Sequence, residues 1–412
     1  LQLIELCTKD NLIIDAGALF TGIDQQVNKN VRVYIWDGKV QSIEKQAVNS
    51  RVEKPVGGMK NRRVIPANNM TVVPGLLDCH VHLALDGVSS PSPHRSVLRG
   101  RIRQKLASDL AYGIVAVRDG GDRDDIGLVC RDKVNNMELK GPVVMASGNA
   151  VRKKGEYGSF LGAGTTPKEL AKTMKKLLMK NINQVKVLVS GIVSFKEYGR
   201  VGKIQFSLQE LEQIVKIAGE HGLKVMAHAS SDEAVQLCIG AGVHSIEHGY
   251  FISEDSLKEM ADRGIAWIPT VIPVAVQNQQ RVPSKIGKAA VIEHTYQRQL
   301  RMIRLAQHLG VLLGVGTDAG AAGVQHGVGY MQELHLYQEA GLTLEETLLA
   351  ATRNSAQIMG MKDSLGIIAP GRPAYLLLME GDIFANPGKQ FDIKYLIRPQ
   401  QEKIAEGSYQ SA

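Results

Sequence analysis

Cysteine is scarce in this chain. Cys7, Cys79, Cys130 and Cys238 lie far apart and form no C-x-x-C pair. That spacing excludes a zinc knuckle and offers no disulfide framework, so reduced thiols in a cytoplasmic protein are the expectation. Aromatic residues make up only 5% of the chain and supply no platform of the kind that stacks nucleic-acid bases. No apolar run approaches the length that crosses a bilayer, and the first residues show no basic segment followed by an apolar core and cleavage site. Neither nucleic acid nor membrane is therefore an expected partner, despite a net charge of +8. The positive charge is dispersed. Its densest group, Lys172, Lys175, Lys176 and Lys180, alternates at helical spacing with Leu170, Met174, Leu177 and Leu178, which reads as the solvated face of an outer helix. A second group, Arg51, Lys54, Lys60, Arg62 and Arg63, falls in a Gly- and Asn-containing stretch that reads as a loop.

What is present is a chain of 412 residues, 44% of them hydrophobic, enough to bury a large core. The first part reads as short strands over residues 12–16, 31–36 and 39–43, with Asp37-Gly38 as a hairpin turn. The apolar run 374–379 near the other end matches them, so both termini are expected to share one small β domain, residues 1–71 and 361–412. Between them, apolar runs at 72–78, 114–117, 142–146, 185–189, 224–227, 243–246, 265–271 and 311–315 alternate with helical patterns at 95–112, 168–180, 208–221, 254–263, 288–309 and 343–352. Ser207, Ser253 and Thr343 are the expected helix N-caps. Eight such runs fit an α/β fold of the (β/α)8 TIM-barrel type over residues 72–360, with the terminal segments forming a small β-sandwich domain.

Chemistry gathers at the ends of these runs. Val72 to His82 closes on His80 and His82, two residues apart, and a strand sends such a pair to one face, where both imidazoles can grip one metal ion. His228, His248 and Asp318 close the fifth, sixth and eighth runs, at the carboxyl ends where barrel enzymes place their sites. Each of these signals is weak alone, since a lone histidine is more often core or surface. Together they are strong. Lys186 lies within the fourth run, and burying a lone ammonium is costly enough to need a reason. Arg118 and Asp119, after the second run, read as a structural pair.

The motifs Pro74-Gly75-Leu76-Leu77-Asp78-Cys79-His80-Val81-His82, Ile246-Glu247-His248-Gly249 and Gly316-Thr317-Asp318-Ala319-Gly320, with His326-Gly327 and Ala350-Ala351-Thr352, resemble the amidohydrolase superfamily, and within it the prolidase-like and ochratoxinase-like branch. The resemblance implies a hydrolase cleaving the amide bond of a dipeptide or N-acyl amino acid. It also implies two divalent metal ions, with zinc the expected one. His80, His82 and Asp318 would hold one ion and His228 and His248 the other, with a CO2-derived carbamate on Lys186 between them. Asp318 would take the proton of the attacking water and pass it to the leaving amine. Arg152 and Tyr157, in the long segment from Gly148 to Gly164, and Tyr250 and His326 are the candidate substrate-binding residues, with loop packing as the competing account. A mononuclear deaminase is the nearest rival, although Ser231 stands where such enzymes often carry a glutamate. Hydrolysis of a cyclic amide or lactone and a non-catalytic scaffold are further alternatives. The expected partner is a small-molecule substrate, and outer barrel helices commonly support homo-oligomers.

Overall fold

Five strands open the structure, a computed structural model describing residues 3–7, 11–46, 62–87, 95–279, 286–385 and 391–400. They are β1 (Ile4–Cys7), β2 (Asn11–Phe20), β3 (Val27–Trp36), β4 (Lys39–Lys45) and β5 (Arg62–Pro74). Asp37 and Gly38 join β3 to β4 with φ of 45° and 69°, the left-handed pair whose twist matches a hairpin. Of the basic cluster expected in a loop, Arg51, Lys54 and Lys60 lie outside the described residues. Arg62 and Arg63 instead open β5.

The chain then enters a barrel of parallel strands: β6 (Leu76–Val81), β7 (Ile114–Asp119), β8 (Val143–Ala146), β9 (Gln184–Leu188), β10 (Lys224–Ala229), β11 (Ser245–His248) and β12 (Ala266–Ile268). Around them run α1 (Arg95–Ala111), α2 (Ile126–Asn135), α3 (Leu170–Leu178), α4 (Leu208–Gly219), α5 (Asp232–Ala241), α6 (Glu254–Arg263), α7 (Ile272–Gln279), α8 (Ile286–Leu309), α9 (Val328–Glu339), α10 (Leu344–Leu349) and α11 (Ser355–Met359). Ser207 and Thr343 each form a full capping box, and Ser253 accepts from the Ser256 N–H. The α3 helix buries Leu170, Met174 and Leu177 and leaves Lys172, Lys175 and Lys176 exposed. No helix among the described residues is long and apolar enough to cross a membrane.

The barrel sheet falls into two ladders, β6-β7-β8 and β9-β10-β11-β12. Val151 bridges one gap, donating to Lys186 O and accepting from Leu188 N–H. The eighth apolar run closes the other gap as an extended seam, not as a regular strand. Trp267 N–H donates to Leu312 O and Gly314 N–H to Trp267 O on one flank, while Cys79 N–H donates to Val315 O and Asp318 N–H to His80 O on the other. Glycine content explains the irregularity. A Cβ on Gly314 would lie 2.5 Å from Ile358 Cδ1, and one on Gly316 2.9 Å from His80 Cβ, so close packing demands glycines that weaken a ladder.

Beyond the barrel, β13 (Leu376–Glu380) and β14 (Ile393–Arg398) return to the first strands, giving a seven-stranded sheet ordered β1-β14-β13-β5-β2-β3-β4. Alternation along β13 shows how the sheet is placed. Leu376 and Leu378 join Ile14, Val33 and Ile65 in a separate small core, while Leu377 and Met379 join the main core of the barrel.

Candidate metal centre

Every residue of β6 is buried, so its polar side chains face the barrel interior or its mouth. Asp78, His80 and the following His82 line up on one side. His80 Nδ1 lies 2.7 Å from Glu247 Oε2 and His82 Nδ1 2.9 Å from Gly121 O. Both partners only accept, which puts the proton on Nδ1 and leaves the lone pair of each ring at Nε2. Asp318 Oδ1 stands 3.6 Å from His80 Nε2 and 3.4 Å from His82 Nε2, and the three donor atoms lie within 4.8 Å of one another. Asp78 ties this cluster together from beneath, accepting from the N–H of His80 and from both the N–H and the hydroxyl of Thr317. A Cβ on Gly120 would approach His82 Cε1 to 2.8 Å, so the approach to both imidazoles is kept open by a glycine.

The opposite side of the mouth carries Lys186, His228 and His248. Lys186 is 1% exposed, with Nζ 3.3 Å from His80 Nε2. The His248 ring centroid is 5.0 Å from that of His80 and 4.5 Å from that of His228. His248 Nδ1 stands 2.7 Å from Thr270 Oγ1, whose hydroxyl is directed at Pro269 O. His228 differs, because its Nε2 lies 3.3 Å from Gly191 O and Nδ1 is the unprotonated edge. His248, Thr270 and Asp318 all take positive φ (69°, 49° and 56°), a backbone cost of about 1–3 kcal/mol each that clusters at functional sites.

Burial dominates the electrostatics. It lowers His82 and His228 to about 3 and His80 and His248 well below the usual imidazole range, with the Lys186 ammonium adding to each shift. All four are neutral near pH 7, as metal ligation requires. Burial raises Asp318 to about 7 against the pull of Lys186, and lowers Lys186 to about 8 against the pull of Glu247 and Asp318. Two imidazole lone pairs and a carboxylate converging in this way fit a divalent ion of the zinc, manganese, cobalt or iron type.

The candidate substrate residues are distributed unevenly. The Tyr157 ring lies 5.7 Å from His228, and Tyr250 stacks on His248 at 5.8 Å, so both phenols stand beside the centre. Burial raises both, and the nearby Asp318 carboxylate adds to it. Arg152 turns into its own loop, donating to the carbonyls of Lys153, Glu156, Gly162 and Ala163. His326 faces Asp109, with Nδ1 3.1 Å from Oδ2, both side chains being buried. Burial pulls this imidazole down, but Asp109 more than offsets that. Arg118 and Asp119 do not pair with each other: Arg118 donates to Glu247, while Asp119 accepts from the N–H groups of Leu83 and Gly121. Asp78, Glu247 and Thr270 were not singled out from sequence. Asp78 carries a signal, as an acid that closes the apolar run 72–78, and Glu247 directly follows the run 243–246, whereas Thr270 carries none.

The barrel, its capping sheet and this donor set define a metal-dependent hydrolase. A family model described as the Amidohydrolase family matches residues 71–405, and the chain belongs to that family, whose class is hydrolases of C–N bonds. It is 24% identical over 405 residues to the ochratoxinase of Aspergillus niger, covering 89% of this chain and 81% of that protein. It is 25% identical over 294 residues to an uncharacterized protein of Mycobacterium tuberculosis, covering 70% of this chain and 74% of the relative. A crystal structure of a Xaa-Pro dipeptidase with bound methionine in its active site superposes with a TM-score of 0.79 at 24% identity, over 94% of this chain and 98% of that one.

Proposed function

We propose that this chain hydrolyses the amide bond of a small molecule, a dipeptide or an N-acyl amino acid, at a centre whose first ion is held by His80, His82 and Asp318. The observation that carries the reading is the three-donor cluster, with both histidines fixed as Nδ1–H tautomers. An ion bound there supplies Lewis acidity and a water of lowered pKa. Asp318, with one oxygen directed at the histidines and 19% of its side chain accessible, is placed to accept a proton from water and return it to the leaving nitrogen. Tyr157 and Tyr250 would flank the substrate, their hydroxyls serving to orient its carbonyl. Arg152, held by backbone carbonyls, would shape the loop that carries Tyr157.

The cluster is complete with a single ion, which favours a mononuclear centre and keeps cyclic amides and lactones among the substrates to be tried. Deamination fits less well, because Ser231 is committed as the N-cap of α5. A two-ion centre draws its support from Lys186. A buried lysine beside His80, with its pKa lowered to about 8, gives up one proton readily, and its neutral amine can then add CO2 with release of a second, so that a costly ammonium would become a carbamate between the two sides of the mouth. The likeness to a dipeptidase and an ochratoxinase supports open-chain amides as the first substrates to test.

Zinc-loaded protein assayed for amine or ammonia release from a panel of dipeptides, N-acyl amino acids, cyclic amides and amino-heterocycles tests the proposal. Turnover of any amide that is lost with chelator supports it, whereas ammonia released from amino-heterocycles alone overturns it in favour of a deaminase.

A further inference from the structure

Behind His80, on the inner wall of the barrel, lies a polar network of which the chemistry above uses only the Glu247 contact. Arg118 of β7 is 2% exposed, and it donates from Nε to Cys79 O at 2.5 Å, from Nη1 to Ser245 Oγ at 3.1 Å and from Nη2 to Glu247 Oε1 at 2.9 Å. The same Oε1 accepts the Ser245 hydroxyl at 2.6 Å, and Glu247 Oε2 accepts His80 Nδ1–H at 2.7 Å. Both carboxylate oxygens are therefore engaged, and the side chain cannot turn without breaking bonds on both edges.

A buried Arg–Glu pair is a poor device for stability, since well-packed apolar residues do as well or better. What this one supplies is direction. A carboxylate only accepts, so the imidazole edge facing Glu247 must carry the proton, and the lone pair of His80 is left at Nε2, toward His82 and Asp318. Arg118 holds the carboxylate from its far side and, through Cys79 O, pins β6 one residue before His80. Successive residues of a regular strand face opposite sides. The positive φ of His248 brings its ring, like the carboxylate of Glu247, back against His80.

We propose that Arg118 and Glu247 are positioning residues that set the tautomer and aim of His80, and through it the metal affinity of the centre. This rests on the metal-binding reading given above. Removing Glu247 alone would strand a buried guanidinium, so the test removes both charges together, in the 412-residue chain. Zn2+ affinity, measured by competition with a chromogenic chelator, is expected to fall about 10–100-fold in Arg118→Met/Glu247→Leu. In Arg118→Met/Glu247→Gln, whose amide oxygen still accepts, part of that loss should be recovered. The second readout needs no metal: 15N-histidine spectra of the metal-free chain, with His80 assigned by its absence in His80→Gln, should show Nδ1–H in the wild type and a mixed or reversed tautomer in the Leu variant. If that variant does not fold, the Gln variant carries the comparison. Wild-type Zn2+ affinity together with an unchanged His80 tautomer in a folded variant overturns the proposal. A wild-type chain that binds no Zn2+ overturns the metal reading instead, and the tautomer spectra then decide the role of the pair by themselves.

Discussion

The two sides of the barrel mouth use similar residues to different effect. On one side His80, His82 and Asp318 converge within 4.8 Å, and each histidine is oriented by an acceptor that fixes its proton. On the other, His228 and His248 expose different ring nitrogens, and a lysine stands where a third anionic donor would be needed. The first side already brings its three donors together. Lys186 approaches that side at His80 Nε2, 3.3 Å away, and as an ammonium it would oppose a metal ion at either side. Readiness of a donor set thus depends less on which residues are present than on which proton each of them carries.

The sharpest way to break this comparison is Asp318→Asn. Turnover per bound zinc should drop by about 10²–10⁴-fold or more, measured by single-turnover assays with zinc content read beside them by elemental analysis; a fully active variant sinks the proton-transfer role. Next comes the contrast between the sides. His82→Ala should lose its metal, whereas Lys186→Met should keep about one ion per chain, and a wild-type content near two would assign the second ion to the lysine side. Lys186→Met should also stabilise the metal-free protein by roughly 1–3 kcal/mol in urea titrations, because burial disfavours the ammonium it replaces. A gentler test is pH. With Asp318 raised to about 7, the metal-free protein holds a proton below that pH which metal must displace, so affinity should climb about tenfold per unit toward 7 and then flatten. A continued rise to about 8 would report deprotonation of Lys186. The smallest effect is expected at Ser207→Ala, away from the mouth, with about 0.5–2 kcal/mol lost from the α4 cap and metal affinity unchanged.

Much of the scaffold was legible because single strands and caps announce themselves locally. Apolar runs marked seven barrel strands, Asp37-Gly38 marked its hairpin, and Ser207, Ser253 and Thr343 marked their helices. The eighth run misled, since apolar content was read without weighing the close approach that makes Gly314 and Gly316 necessary. Helices α2, α5, α7, α9 and α11 lie outside the helical patterns named above. In α7 the first five residues are all buried, and α9 buries residues on more than one face, so neither shows a clean amphipathic stripe. At the centre, the cluster of His80, His82 and Asp318 was legible from the places of these residues at the ends of apolar runs. Their orienting partners were not, because Glu247 and Thr270 acquire meaning only when β11 and the segment after β12 are laid beside His80 and His248. Arg152 is a case of its own: a basic residue in a long loop reads as a ligand for substrate, and here its guanidinium is engaged by four backbone carbonyls.

The irregular seam has a mechanical consequence. His80 and His82 come from the first ladder of the barrel, while Asp318 comes from the segment that shuts the circle, joined to its neighbours by a handful of backbone bonds. An ion shared by these three would act as a rivet across the joint. Its loss would loosen the closure before the helices or the terminal sheet are disturbed, so amide exchange after chelation should quicken first between Val311 and Ala319.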